Sequence, residues 1–80
     1  MTREEIHELL RTTFEEMFEI EPDAVVAEAA LYDDLDIDSI DAVDLVARLS
    51  EVTGIRVQPD EFKSVETVND VIEVIAGLDR

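Results

Sequence analysis

Leu31–Leu49 reads LYDDLDIDSIDAVDLVARL. Six aspartates (Asp33, Asp34, Asp36, Asp38, Asp41 and Asp44) crowd the 12 residues from 33 to 44. From Ser39 onward the apolar positions Ala42, Leu45, Val46, Leu49 and Val52 recur at i, i+3, i+4, i+7 and i+10, the spacing of one helix face. The stretch is therefore an acidic loop that turns into an amphipathic helix. Asp38 is a good N-cap, because its carboxylate can accept from the orphan amides of the first turn. Asp41, three positions on, gives a capping-box-like spacing. That parse puts Ser39 in the first helical turn, with an exposed hydroxyl and free backbone N–H groups nearby.

Outward from this centre, the helix is predicted over Ser39–Val52, and Gly54 supplies a left-handed stop. Its outer stripe is Asp41, Asp44, Arg48 and Glu51, and Ile40, Val43 and Ala47 lie between the two faces. Upstream, Thr2 with Glu5 forms a capping box opening a helix to Phe18. Ile6, Leu9, Leu10, Thr13, Phe14 and Met17 make its buried stripe. His7 and Arg11 fall off that stripe, and His7 is read as a solvated surface histidine. Residues 19–36 contain Pro22 and show little regular period; Ile20, Val25, Leu31, Tyr32 and Leu35 are expected to pin them to the core as an ordered loop. Downstream, Ile55–Val57 is too short to make a sheet, and Pro59–Lys63 reads as a short helical turn with Pro59 at its first position. A last helix over Thr67–Ala76 buries Val68, Val71, Ile72 and Ile75 and ends at Gly77. The expectation is an all-α fold, a small four-helix bundle of three long helices and one short one, forming a single domain over residues 1–80.

Composition narrows the function. Twenty-two acidic against six basic side chains leave a net charge of −16. Such a surface argues against nucleic acid and anionic membrane, and favours proteins that display Lys and Arg patches. It also predicts a fold weakened by self-repulsion at low salt and strengthened by mild acidification. With no cysteine there is neither a disulfide nor a thiolate metal site, and a single histidine rules out histidine-rich zinc chemistry. The amino-terminal residues are charged and helical in pattern, unlike a signal peptide. A cytoplasmic monomer is expected. The 46% apolar content, arranged in sharp stripes, argues against disorder.

Two kinds of chemistry fail on spacing. Asp34, Asp36 and Asp38 match positions 1, 3 and 5 of a calcium-binding loop, but Ser39 stands where the glycine is needed and Leu45 where the bidentate Glu is needed. A serine hydrolase needs a base and an oxyanion hole, whereas Ser39 has carboxylates beside it and the one histidine lies on another helix. Two readings of Ser39 remain open on position alone. It is an attachment point whose phosphodiester would sit at a helix N-terminus, or it is simply part of a helix cap.

Leu35-Asp36-Ile37-Asp38-Ser39-Ile40, followed by Val43-Asp44-Leu45-Val46, resembles the acyl carrier proteins, and the order of elements is similar over nearly the whole chain. The resemblance implies that Ser39 receives 4′-phosphopantetheine from coenzyme A through a separate Mg²⁺-dependent phosphopantetheinyl transferase. The arm's terminal thiol would then hold acyl groups as thioesters, so that a chain without cysteine takes part in thiol chemistry without itself being an enzyme. It further implies that Asp38, Ile40, Asp41, Asp44, Ala47 and Glu51 are read by the basic docking patches of acyl-loading, ketosynthase-type and other pathway enzymes. Val43, Leu45, Val46, Leu49, Val65 and Ile75 are implied to line a shelter for the acyl chain. Ile40 in place of the usual Leu, Asp36 in place of a frequent Gly, and Arg48 inside the acidic stripe depart from the pattern. Asp36 adds a charge and removes a flexible position. Arg48 is expected to pair with Asp44 at i, i+4, worth roughly 0.2–0.5 kcal/mol, and to shape partner choice by repelling a partner's cation. These departures leave a specialised carrier for a polyketide, polyene or modified-lipid pathway at least as open as the housekeeping carrier of fatty acid synthesis. The alternatives are an aminoacyl or D-alanyl carrier, or an acidic interaction domain whose serine carries nothing.

Overall fold

Each helix begins where a short polar side chain closes a capping box. In the computed structural model, which describes residues 1–79, α1 spans Arg3–Phe18, α2 Ser39–Thr53 and α3 Val68–Leu78. Thr2 Oγ1 accepts from the Glu5 N–H at 3.1 Å, and Glu5 Oε1 accepts from the Thr2 N–H at 2.7 Å. Thr67 and Asp70 repeat this for α3 at 3.2 and 3.1 Å, and Asp38 with Asp41 opens α2. Two 3₁₀ turns complete the chain, at Pro22–Ala24 and Pro59–Phe62, each with Pro at a first-turn position where its missing N–H costs nothing. The predicted short helix is thus a 3₁₀ turn one residue shorter than expected. No strand occurs among the described residues; the only extended pairing is an isolated bridge between Ala30 and Thr67.

The apolar stripes meet in one core. Ile6, Leu10 and Phe14 of α1 pack with Leu45, Val46 and Leu49 of α2 and with Val68, Val71, Ile72 and Ile75 of α3. Val25, Leu31, Leu35 and Ile37 descend from the long connection. That connection is ordered by its backbone. Leu31 N–H donates to Glu66 O at 2.8 Å, Val68 N–H to Ala29 O at 3.0 Å, and Asn69 N–H to Ala27 O at 2.9 Å. The loop that delivers Ser39 is therefore tied to the start of α3. On its other side, Ser50 Oγ accepts from the Val57 N–H at 3.1 Å and donates to Val57 O at 3.3 Å, holding residues 55–57 extended along α2.

Four expectations are corrected. Val52 is 46% exposed, so the last turn of α2 is only partly covered on that side. Tyr32 is 45% exposed, since the turn at 30–34 sends Leu31 and Leu35 inward and leaves Tyr32 outside. His7 is half-buried, and its Nε2 bonds the Val25 carbonyl at 2.6 Å; a carbonyl can only accept, so Nε2 carries the hydrogen and ties α1 to the end of the first 3₁₀ turn. Gly77 does not end α3. The helix runs to Leu78, which packs against the core, and Asp79 N–H closes it on Ile75 O at 3.0 Å. Tertiary burial here outweighs the roughly 1 kcal/mol that glycine costs in a helix. Gly54, by contrast, ends α2 in the left-handed region as predicted, with φ 71°.

The caps dictate the acid limb of stability. Hydrogen bonds from Thr2 hold the Glu5 carboxyl below the usual range, and backbone N–H groups of Glu66 and Thr67 do the same for Asp70. Both groups bind protons less readily folded than unfolded. Their stabilisation is present above the ordinary carboxylate range, about pH 4, and is lost as pH falls through the lowered folded values. Relief of self-repulsion acts in the opposite direction from neutral pH downward, so stability is expected to pass through a maximum in mild acid. Urea midpoints at neutral pH, mild acid and strong acid check this, and the Glu5→Gln/Asp70→Asn double variant should show a shallower loss on the acid side.

Candidate functional site

The turn into α2 settles which side chain does the capping. Asp38 Oδ1 accepts from the Asp41 N–H at 2.9 Å, and Asp41 Oδ2 lies 3.4 Å from the Asp38 N–H. Ser39 is the first helical residue, exposed, and its hydroxyl has no hydrogen bond among the described residues. The cap reading of Ser39 therefore has no bond behind it. Asp34 is also structural, accepting from the Ala30 N–H at 2.8 Å. Part of the acidity around the serine thus builds the loop, a role that composition does not reveal.

Asp36 adopts φ 59°, in the left-handed region. Beyond the charge that Asp36 adds and the flexible position that it removes, the loop needs a left-handed residue here, and Asp is one of the few side chains that enters that region at tolerable cost. Asp36→Gly is expected to raise stability by about 0.5–1 kcal/mol, as relieved strain and one charge fewer exceed the added entropy of the unfolded chain. Asp36→Ala, which keeps the left-handed backbone with a side chain that enters that region less readily, should not. Urea denaturation of both variants separates them.

Beside Ser39 lies a cleft of about 150 Å³. Ser39, Ala42, Val43 and Val46 form its α2 wall, Pro59, Phe62 and Lys63 the opposite wall, and Tyr32 stands at the loop side. Of the residues expected to shelter an acyl chain, Val43 and Val46 line this cleft, whereas Leu45, Leu49, Val65 and Ile75 belong to the closed core. Tyr32, Pro59, Phe62 and Lys63 were not read as site residues from the sequence, and no local pattern joins them to Ser39.

The outward face of α2 presents Ile40, 73% exposed, with Val43, Asp44, Ala47, Arg48 and Glu51, all exposed, and exposed Asp38 just before it. Asp41 is half-buried in the capping box. The predicted Asp44–Arg48 pair is absent: the ion pairs among the described residues are Arg3–Glu73, Arg11–Glu8, Lys63–Asp60 and the Met1 amino group with Asp79. An exposed pair gains little over the side-chain entropy it costs. Among the described residues no group of three or more His, Asp or Glu side chains is arranged to hold a metal, and no helix is long and apolar enough to cross a membrane.

Residues 8–75 match the phosphopantetheine attachment site family, and that span contains the loop, α2 and the cleft. The chain belongs to this family. It is 54% identical over 78 residues to Acyl carrier protein 2 of Ralstonia nicotianae, covering 98% of this chain and 96% of that one. It is 33% identical to the acyl carrier protein of Thermosynechococcus vestitus (94% and 93% covered) and 35% identical to the meromycolate extension acyl carrier protein of Mycolicibacterium smegmatis (99% and 80% covered). The family's cofactor is 4′-phosphopantetheine, covalently attached. A chain of this family works with a phosphopantetheinyl transferase and with the enzymes of its pathway. The residues fit the group: an unbonded, exposed serine hydroxyl sits at the rim of a largely apolar cleft.

Proposed function

We propose that Ser39 is the attachment point of 4′-phosphopantetheine and that the protein, one carrier domain over residues 1–80, carries acyl intermediates for fatty acid, polyketide or specialised lipid synthesis. When bound, the arm supplies a terminal thiol that holds the acyl group as a thioester. The single observation that carries the reading is the division of labour at the start of α2. Asp38 and Asp41 satisfy the helix end between themselves, which leaves the Ser39 hydroxyl free and exposed. The protein's own part is to present that hydroxyl on a rigid turn, since Leu45 and Leu49 anchor α2 in the core and Leu31 ties the loop to Glu66.

The protein is not itself an enzyme in this reading, and it works as a cytoplasmic monomer. Its partners read Asp38, Ile40, Asp41, Asp44, Ala47, Arg48 and Glu51, an apolar and acidic face suited to basic docking patches. Arg48, exposed and without an ion pair among the described residues, supports a pathway with its own dedicated enzymes, because a cation inside the acidic face penalises partners that place Lys or Arg opposite it. The test is intact mass after incubation of the full chain with coenzyme A, Mg²⁺ and a broad-specificity phosphopantetheinyl transferase. A gain of one phosphopantetheine is expected; folded protein of unchanged mass would refute the reading.

A further inference from the structure

The cleft beside Ser39 runs against the charge of the rest of the molecule. The chain carries 22 acidic and six basic side chains. Yet of the residues lining this cleft the only charged one is Lys63, among apolar Val43, Val46 and Phe62 and the aromatic Tyr32. The carboxylates of Asp38 and Asp41, next to Ser39 in sequence, are turned onto each other's backbone N–H groups and do not line it. Lys63 is 79% exposed, and its one partner among the described residues is Asp60 at 3.5 Å, three residues back on its own turn. Such an exposed pair is weak, so the ammonium can exchange it for a better anion.

A phosphodiester on Ser39 brings one negative charge to this rim, and the next branched carbon along a pantetheine arm bears two methyl groups. We propose that the cleft seats the root of the arm, Lys63 pairing with the phosphodiester while Tyr32, Val43 and Phe62 pack the geminal methyls. The inference rests on the assignment of Ser39 as the attachment point. A cavity of about 150 Å³ with apolar walls holds a group about the size of benzene, which suits the dimethyl carbon and is too small for the whole arm. Lys63 acts as a positioning residue: it makes up for the unfavourable acidity around Ser39 and gives the arm a fixed direction of departure.

The test uses the full chain, isotopically labelled and loaded with an unlabelled arm, in the wild type, Lys63→Met and Lys63→Arg. Intact mass is read first; absence of the arm removes the Ser39 assignment and this inference with it, whereas a failure of contacts in loaded protein removes this inference alone. In the loaded wild type, nuclear Overhauser cross-peaks are expected from the arm's methyl protons to Tyr32, Val43 and Phe62. They should fall by about threefold in Lys63→Met, the size expected for an exposed ion pair, and similarly in wild type at about 0.5 M salt. Lys63→Arg should retain them. No cross-peaks in the loaded wild type, equal intensities in Lys63→Met, or a loss in Lys63→Arg as large as in Lys63→Met would each overturn the proposal.

Discussion

Ser39→Ala is expected to abolish loading completely while moving stability by no more than about 0.5 kcal/mol. The hydroxyl is exposed and unbonded, so its removal opens no cavity and strands no partner. Alanine is also at least as good a helix former at that position. Asp38→Ala should behave in the opposite way. It removes the acceptor of the Asp41 N–H and should cost about 1 kcal/mol, the usual loss for an N-cap. It leaves the Ser39 hydroxyl in place, so prolonged incubation with coenzyme A and transferase should still add the arm. Intact mass and urea denaturation, measured on both variants, therefore dissociate the chemistry from the cap. A Ser39→Ala chain that still gains the arm would move the attachment to another hydroxyl.

Phe14→Ala is expected to cost about 3–5 kcal/mol, the range for truncating a fully buried aromatic. Phe14 is the largest of the fully buried side chains, and its ring meets Phe18 edge-on with centroids 6.0 Å apart. The 80 residues support a total stability of roughly 4–12 kcal/mol, so the loss is a large share of the whole. A net charge of −16 makes it larger where salt is scarce. The variant should lose its cooperative thermal transition at low ionic strength and recover much of it when salt screens the repulsion. Loading should follow the same salt dependence, because the Ser39 turn is held only while α2 has α1 to pack against. Circular dichroism melts at low and high salt check the first part, and the mass assay under the same conditions checks the second. A transition unchanged by the mutation would contradict a core built around Phe14.

Much of this molecule was legible because its signals are local. The Thr2–Glu5 and Asp38–Asp41 boxes are four-residue patterns, and each opens a helix where the pattern falls. The stripes on α1, α2 and α3 are periodicities within single elements, and their central members are the core. The boundaries and edges were less legible, since covering, not propensity, decides them. Val52 continues a valid stripe to a position that the fold only half covers, and Gly77 stays helical because Leu78 finds a seat. His7 lay off its helix's stripe but met a carbonyl from a loop 18 residues away.

The site divides in the same way. By itself the sequence determined that Ser39 begins a helix and that Asp38 caps it, because hydrogen bonds between near neighbours need no tertiary partner. The left-handed backbone at Asp36 was set by the loop's path from Leu35 to Ile37, both of which must reach the core. Only the tertiary structure decided that Tyr32 stands outside the core, and that Phe62 and Lys63 share a cleft with a serine more than twenty residues earlier. The physical reason is that a cleft is the space left between packed elements. Its walls are chosen by how α2 and the second 3₁₀ turn lie together, and no periodicity within either one records that arrangement.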